Sequence, residues 1–345
     1  MILSLLLRRK KERKNRPVAI FPVNFTLIKL KKILLLAFAV AFVFLPGQNW
    51  YLTVPLLADS LEQPGVLLPP LSATYPVDLV RLPPPILTAQ AVIVLDVNSG
   101  TVLYRFNEDF PLLPASTVKI MTALVALDYY SLDQVITIGE IETLGQTFDF
   151  KPGQRFQVKD LLLALLVGSA NDAAEILAAN YHGGRVAFVA AMNQKAKDLK
   201  LTRTHFANPT GLDSDVNERQ LKDINLTTAL DLSRLARVAL ANSFIAASVD
   251  KSYVTITELV SRQTYPIYNI NVLLSKRSEI KGIKTGWTEE AGECLVALAQ
   301  KPSASVITVI LGSQDRFGET EELVDWVYGN FSWQEITEPI QGQWR

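Results

Sequence analysis

The feature that most constrains the fold is an apolar stretch just after Pro114, in the first half of the chain. Its apolar residues stand at positions 118, 120, 121, 124, 125 and 127. That spacing predicts a helix that begins near Ser116 and is apolar around most of its circumference. Such a helix is stable in water only when other elements cover it on several sides. We therefore expect it to be the central helix of a folded domain.

Two polar side chains, Ser116 and Lys119, interrupt this apolar stretch. They are three residues apart and so share one face of the helix. A lysine desolvated by packing loses its proton well below its solution pKa, and it could then activate a serine hydroxyl as a nucleophile. Unpaired N–H groups in the first turn would stabilise negative charge on an attacked oxygen. For an isolated instance, the better interpretation is a capping serine with a lysine that reaches into solvent.

Composition limits the possible chemistry. The 345 residues are 49% hydrophobic and 20% charged, with no formal net charge, which fits a globular protein of about two domains. The single cysteine, Cys294, excludes an intrachain disulfide and a cysteine-based metal site. With His182 and His205 as the only histidines, a histidine-rich metal site is also disfavoured. We expect neither a metal nor a cofactor.

The amino-terminal part has the pattern of an exported protein. Residues 1–32 contain a basic cluster, and residues 33–45 are uncharged and apolar. A basic segment directly before an apolar run is typical of a signal peptide or a membrane anchor, and less typical of a nucleic-acid-binding arm. No small-x-small cleavage site follows, which favours an uncleaved anchor. Residues 46–87 are rich in proline and predict an extended linker. We therefore expect the folded domain to act outside the cytoplasm, and we expect no nucleic-acid partner.

A folded domain is predicted over residues 88–333, followed by a short tail, residues 334–345. Two β-rich runs, residues 91–97 and 101–106, flank an Asn-Ser-Gly turn and predict a hairpin. Helical patterns follow within residues 160–180, 184–199, 227–241 and 318–330. Strand patterns lie at residues 253–256, 264–268, 282–285, 294–299 and 306–311. This order predicts an α+β fold, with one antiparallel sheet completed by both ends of the domain and helices packed on it.

A short polar segment breaks the helical pattern of residues 160–180. It places Ser169 and Asn171 two residues apart in a turn after Gly168. If the turn faces the central helix, Ser169 could relay a proton and Asn171 could hold a substrate amide. Taken alone, the segment is better explained as a cap for the following helix.

A third polar segment, Lys284-Thr285-Gly286, ends a predicted strand. Its lysine and hydroxyl suit a substrate that lies along the strand edge and ends in a carboxylate. Gly286 would let that substrate approach the backbone closely. The simpler alternative is a solvated lysine at the strand end followed by a turn glycine.

Together, the three segments resemble the Ser-x-x-Lys, Ser-x-Asn and Lys-Thr-Gly set of penicillin-binding proteins and class A β-lactamases. The stretches Phe206–Leu212 (Phe-Ala-Asn-Pro-Thr-Gly-Leu) and Lys284–Gly292 (Lys-Thr-Gly-Trp-Thr-Glu-Glu-Ala-Gly) make the resemblance closer. They are similar to D-alanyl-D-alanine carboxypeptidases of the low-molecular-mass penicillin-binding type. The resemblance covers about residues 88–330 and implies the β-lactamase/transpeptidase-like fold.

The resemblance implies an exported serine peptidase that removes the terminal D-alanine from peptidoglycan stem peptides ending in D-Ala-D-Ala. It also implies that β-lactams acylate the same serine. The implied catalytic residues are the nucleophile Ser116, the general base Lys119 and the proton relay Ser169. The implied substrate-binding residues are Asn171, Lys284, Thr285, Gly286 and Trp287. The backbone N–H groups of Ser116 and Trp287 would form the oxyanion hole.

The chain departs from the resemblance at Asn269-Ile270-Asn271, where some relatives carry an arginine that helps to bind the carboxylate. It also ends soon after the catalytic region, so any membrane attachment is expected through the amino-terminal segment. A β-lactamase would need a dedicated deacylating group, and no Glu-x-x-x-Asn segment follows Asn171 in the expected stretch. A DD-endopeptidase shares the chemistry and stays open. The intact motifs count against a non-catalytic wall-binding protein.

Overall fold

The computed structural model describes residues 74–212 and 223–335. The predicted basic segment, the apolar segment 33–45, most of the linker and most of the tail lie outside the described residues. Within residues 74–212 and 223–335, no helix is both long and apolar enough to cross a bilayer.

The elements of the described part alternate between strands and helices. The strands are β1 (Thr74–Asp78), β2 (Ala91–Asp96), β3 (Val102–Phe106), β4 (Val135–Thr137), β5 (Arg155–Gln157), β6 (Tyr253–Thr257), β7 (Thr264–Tyr268), β8 (Ile280–Thr288), β9 (Gly292–Lys301), β10 (Ala304–Ser313) and β11 (Phe331–Glu335). The helices are α1 (Lys119–Tyr129), α2 (Val158–Leu166), α3 (Asn171–Ala179), α4 (Gly184–Asp198), α5 (Ala229–Leu240), α6 (Ser243–Val249), α7 (Leu273–Lys276) and α8 (Arg316–Asn330).

A five-stranded antiparallel sheet organises the domain, in the order β3-β2-β10-β9-β8. The amino-terminal hairpin joins the carboxy-terminal strands where β2 pairs with β10, with Ile93 opposite Val309. Every residue of β2 is buried, because successive side chains point to opposite faces and both faces are covered. Ile93 joins the core around α1, whereas Val92 and Val94 join the core under α8. The predicted α+β fold and its sheet are confirmed.

The predicted central helix is also confirmed, with a tighter start than the spacing indicates. Residues Ala115–Val118 form a 3₁₀ turn that continues directly into α1. The first eight residues of α1 are all buried, and α1 contacts α2, α4 and α5. Because a 3₁₀ turn has three residues per turn, Ser116 and Lys119 are nearly eclipsed on one face.

The β6–β7 hairpin departs from the prediction of one sheet. Both strands form where the sequence predicts them, but within the described part of the chain they pair with each other and not with the main sheet. The buried residues Val254 and Ile267 pack into the core around α1 and α2, so the hairpin covers helices rather than extending the main sheet. A second short pair, β4 with β5, was not predicted, since each strand has three residues and only one fully buried side chain.

Residues 74–88, most of which the sequence assigns to the linker, lie along α8. Strand β1 pairs with β11. Leu82 then exchanges two hydrogen bonds with the side chain of Asn330, and the Leu82 carbonyl also accepts from Trp326 Nε1 at 3.0 Å. Further on, both the backbone N–H and the hydroxyl of Thr88 donate to the buried carboxylate of Glu319. These contacts join residues 74–88 to α8 and β11.

Candidate active site

The site begins at the 3₁₀ turn that precedes α1. Lys119 Nζ lies 2.8 Å from Ser116 Oγ and 2.6 Å from the carbonyl oxygen of Thr210. Thr210 belongs to the Asn-Pro-Thr-Gly stretch, which folds over the start of α1. The Lys119 side chain is fully buried, so the alternative of a lysine reaching into solvent does not apply.

Burial dominates the electrostatics of Lys119. Desolvation lowers its pKa well below 10.5, and the positive charge of Lys284 lowers it further, whereas the carboxylates of Asp172 and Glu175 act in the opposite direction. A buried amine without a carboxylate in hydrogen-bond contact favours the neutral form. Neutral Lys119 carries a lone pair next to the Ser116 hydroxyl, which is the arrangement a general base needs.

A second lysine and serine pair faces this one from β8 and from the turn before α3. Lys284 Nζ lies 2.8 Å from Ser169 Oγ and 3.0 Å from the carbonyl oxygen of Thr285. Desolvation, followed by the charge of Arg316, lowers the pKa of Lys284 to about 7. Ser169 has a φ of +59°, which is uncommon for a residue other than glycine. The turn thus holds Ser169 towards the sheet, and Ser169 does not cap α3.

Two glycines allow the backbones of the site to approach each other. A Cβ on Gly286 would lie 3.0 Å from the backbone nitrogen of Ser116, so β8 passes directly beside the nucleophile candidate. A Cβ on Gly211 would lie 2.0 Å from the carbonyl oxygen of Ala115, and Gly211 has a φ of +84°. Next to Gly286 on β8, Thr285 is 5% exposed and Trp287 is 62% exposed, so the indole stands in solvent beside the site.

Asn171 is oriented by the loop between β4 and β5. Its Nδ2 donates to the carbonyl of Leu144 at 2.7 Å, and its backbone N–H donates to the carbonyl of Gln146 at 2.7 Å. The carboxylate of the neighbouring Asp172 accepts from the backbone N–H of Phe148. The Asn171 Oδ1 atom is buried and has no hydrogen-bond partner among the described residues. Since a buried acceptor is costly when unpaired, this atom is available to a donor on a ligand.

Arg316, the first residue of α8, is a site residue that the sequence analysis missed. One guanidinium nitrogen donates to the carbonyl of Gly286 at 2.6 Å, while Nε is buried and finds no hydrogen-bond partner in residues 74–212 and 223–335. Its backbone N–H donates to Glu293. Before the Lys-Thr-Gly strand the chain carries Asn269-Ile270-Asn271, whereas Arg316 reaches that strand from a helix about 30 residues later. No local pattern marks it, because only the tertiary fold brings α8 to β8.

The structure therefore brings the three predicted segments together around Ser116. Direct contacts link Ser116 with Lys119, Ser169 with Lys284, and Gly286 with the Ser116 backbone. Within the described ranges, no group of three or more metal-binding side chains is close enough to hold an ion. The arrangement offers a hydroxyl, an amine whose pKa burial lowers and a second amine near an arginine, which suits acyl transfer to serine from a substrate with a negative group.

This fold and site define a class, the serine peptidases and transpeptidases of the penicillin-binding type. The solved Streptomyces K15 DD-transpeptidase is 28% identical to this chain with a TM-score of 0.66, over 72% of this chain and 100% of that one. Penicillin-binding protein D2 from Listeria monocytogenes, solved in an ampicillin-bound form, is 29% identical with a TM-score of 0.62. That match covers 71% of this chain and 100% of the Listeria chain.

Sequence comparison gives the family. The D-alanyl-D-alanine carboxypeptidase family profile matches residues 80–315, so the chain belongs to this family of serine peptidases. A D-alanyl-D-alanine endopeptidase from Pseudomonas aeruginosa is 34% identical over 249 residues, 70% of this chain and 77% of the relative. The carboxypeptidase DacF from Bacillus subtilis is 30% identical over 256 residues, 70% of this chain and 63% of the relative. The resemblance seen in the sequence is confirmed.

Proposed function

We propose that the protein removes the terminal D-alanine from peptidoglycan stem peptides that end in D-Ala-D-Ala, through an acyl-enzyme on Ser116. The observation that carries this proposal is the 2.8 Å contact between Ser116 Oγ and Lys119 Nζ. Burial favours the neutral form of that lysine, so it can take up the serine proton. Family membership supports the substrate class.

In the acylation step, Lys119 accepts the Ser116 hydroxyl proton as Oγ attacks the carbonyl carbon of the penultimate D-alanine. The backbone N–H groups of Ser116 and Trp287 stabilise the negative charge on the carbonyl oxygen. The C–N bond then breaks, and the proton held by Lys119 is delivered through Ser169 to the departing D-alanine amine. In deacylation, water attacks the ester, and its proton returns to Ser116 by the reverse route.

The substrate lies along the edge of β8, close to Gly286. Its terminal carboxylate binds between Lys284 and Arg316, with the hydroxyl of Thr285 as a further donor, because two cations in a largely buried site favour an anion. The unpaired Oδ1 of Asn171 accepts a hydrogen bond from a backbone N–H of the stem peptide. This use gives partners to Asn171 Oδ1 and Arg316 Nε, two of the buried side-chain atoms that lack a hydrogen bond within the described residues.

We propose that the protein acts in the cell envelope, where peptidoglycan is accessible. The basic residues before position 33 and the apolar run 33–45 support membrane attachment through the amino-terminal segment, or export after cleavage. β-Lactams are proposed to acylate Ser116, since they present a strained amide and a carboxylate to the same groups. The ampicillin-bound form of the Listeria relative supports this use of the site.

Cleavage of cross-links between stem peptides is a second candidate. Relatives from Pseudomonas aeruginosa and Escherichia coli that are named endopeptidases are 34% and 33% identical to this chain. The chemistry at Ser116 is the same for both substrates, and only the group that follows the scissile bond differs. Incubation with a D-Ala-D-Ala pentapeptide and, separately, with a cross-linked dimer distinguishes them through the release of D-alanine or of monomers.

The nucleophile assignment is tested with a fluorescent penicillin. We expect wild-type protein to be labelled covalently and Ser116→Ala to show no labelling, since the only acylated oxygen has been removed. Ser131→Ala is the matched control, because it removes an exposed hydroxyl just after the same helix, and it should label like wild type. Labelling that persists in Ser116→Ala would contradict the assignment.

A further inference from the structure

The outer surface of the β6–β7 hairpin has an unusual composition, and we call it the hairpin face. It consists of the outward-pointing residues of three cross-strand pairs, Tyr253 with Tyr268, Thr255 with Pro266, and Thr257 with Thr264. None of the six side chains carries a charge. Three threonines, two tyrosines and one proline make this face uncharged, with a hydroxyl group on five of the six side chains.

Its two tyrosines are exposed in an ordered arrangement. The rings of Tyr253 and Tyr268 lie 5.0 Å apart between centroids at an interplanar angle of 47°. Tyr253 is 48% exposed and Tyr268 is 69% exposed, and the Tyr253 hydroxyl is hydrogen bonded to Thr255 Oγ1 at 2.7 Å. Large exposed side chains that form a contiguous patch on a folded protein are typical of a binding surface.

The other side of the hairpin supports the active site. Ile267 packs so closely against Gly168, the residue before Ser169, that a Cβ on this glycine would lie 2.7 Å from it. Tyr265 contacts the ring of Phe150 at 5.3 Å between centroids, and Phe150 belongs to the loop that orients Asn171. The β6–β7 hairpin therefore lies between the hairpin face on its outer side and the Ser169 turn on its inner side.

We propose that the hairpin face binds the neutral glycan strand to which the stem peptides are attached, so that the enzyme holds the polymer while it acts on the peptide. This proposal rests on peptidoglycan as the substrate. A pyranose ring presents an apolar C–H face with hydroxyl groups around its rim. Tyrosine rings offer flat apolar contact with a polar tip, and the threonine hydroxyls both donate and accept hydrogen bonds. The absence of charge on the six residues matches a neutral sugar polymer.

A second copy of this chain fits the hairpin face less well. Two five-residue strands cover roughly 17 Å by 10 Å, or about 170 Å², whereas a stable interface needs about 800 Å² from each partner. A narrow flat strip of this size suits an extended chain of sugar rings. Since the substrate polymer carries many stem peptides, a second contact raises the effective concentration of peptide at the active site.

The test compares the double variant Tyr253→Ser/Tyr268→Ser with wild type and with Tyr75→Ser. Tyr75 is 41% exposed on β1 and serves as the matched tyrosine control. The first measurement is co-sedimentation with insoluble glycan strands from which the peptides have been removed enzymatically and whose freed carboxyl groups have been amidated, so that the polymer is uncharged. We expect wild type and Tyr75→Ser to bind, and the double variant to lose most of the binding.

The second measurement is turnover. On intact insoluble peptidoglycan, the KM of the double variant should rise about tenfold because the second contact is lost, whereas kcat/KM on a soluble pentapeptide should equal that of wild type. Failure of wild type to bind stripped glycan would overturn the proposal, as would equal losses on both substrates. A wild-type dimer that the double variant converts to a monomer would identify the face as a contact between copies. If instead the proposed function were wrong, wild type would release no D-alanine from the soluble pentapeptide.

Discussion

At the scale of single residues, two buried lysines play different parts because their surroundings differ. Lys119 contacts the neutral oxygens of Ser116 and Thr210, and burial, followed by the nearby charge of Lys284, lowers its pKa well below 10.5. Lys284 is buried beside Arg316, and its pKa of about 7 leaves it partly charged near neutrality. One amine is thus suited to accept a proton and the other to attract an anion.

The pKa of Lys284 gives the first prediction. Its folded pKa of about 7 lies below the ordinary value, so a rise in pH through 7 removes a positive charge from the proposed carboxylate site. We expect the KM for a peptide with a free terminal carboxylate to rise as the pH increases from about 6 to 9, with a smaller effect on kcat.

Steady-state kinetics across this pH range measure the effect. The control is a peptide whose carboxy terminus is an amide. It has no terminal carboxylate that depends on the charge of Lys284, so its KM should not rise over this pH range. A KM for the free acid that stays constant through pH 9 would contradict the proposed role of Lys284.

Arg316 gives a second prediction at this scale. Removal of its guanidinium in Arg316→Ala eliminates a charged donor from the proposed carboxylate site, and a hydrogen bond to a charged group contributes about 1.5–3 kcal/mol. We expect KM to rise at least about tenfold, which corresponds to about 1.4 kcal/mol, while Arg316→Lys should retain part of the affinity. Arg105→Ala, an exposed arginine on β3, should behave like wild type. An unchanged KM in Arg316→Ala would exclude this residue from the site.

Which site residues the sequence could reveal follows from how each one acts. Ser116, Lys119 and Lys284 act through side-chain chemistry at a recognisable spacing, so motif and order suffice to find them. Thr210 and Leu144 act through backbone carbonyls, which every residue possesses, and their side chains leave no signal. Arg316 was missed because its partner strand is reached only through tertiary packing.

At the scale of elements, the Asn-Pro-Thr-Gly stretch is fixed to the start of α1 by Gly211. An alanine at this position would need a φ of +84° and would place its Cβ 2.0 Å from the Ala115 carbonyl oxygen. We therefore expect Gly211→Ala to move Thr210 away from Lys119, to destabilise the fold by about 3 kcal/mol or more, and to reduce acylation over a hundredfold.

Chemical denaturation and the rate of penicillin labelling measure these two effects. Gly139→Ala is the matched control, because a Cβ at Gly139 meets nothing within 4 Å, and both properties should stay near wild type. A Gly211→Ala protein with normal stability and labelling would show that the close approach is unimportant.

The sequence predicts the long elements better than the short ones, and the reason is physical. α1, α5 and β10 are long enough for several periods of buried side chains to appear, and each was placed within a few residues. β4 and β5 have three residues each, which is too short for a pattern. Pairing is harder still, since β6 and β7 look like strands of the main sheet but bury their inner face against helices.

At the scale of the whole molecule, residues 74–88 and α8 form one connected layer. The pairing of β1 with β11, the contacts of Leu82 with Asn330 and Trp326, and the contacts of Thr88 with Glu319 all join residues more than 200 positions apart. α8 begins at Arg316, beside the active-site strand. Loss of the segment before residue 88 should therefore loosen the helix that carries a site residue.

This connection gives the last prediction, which compares chains that begin at residue 74 and at residue 88. The shorter chain lacks β1 and the three hydrogen bonds that Leu82 makes with α8, each contributing about 1 kcal/mol. We expect its Tm to fall by several degrees, since about 1 kcal/mol shifts the Tm of a domain of this size by about 2–4 °C. Because Arg316 lies at the start of α8, KM for the pentapeptide should rise more than kcat falls. Differential scanning calorimetry and steady-state kinetics measure both, and equal Tm and KM values would mean that residues 74–87 only rest on the surface.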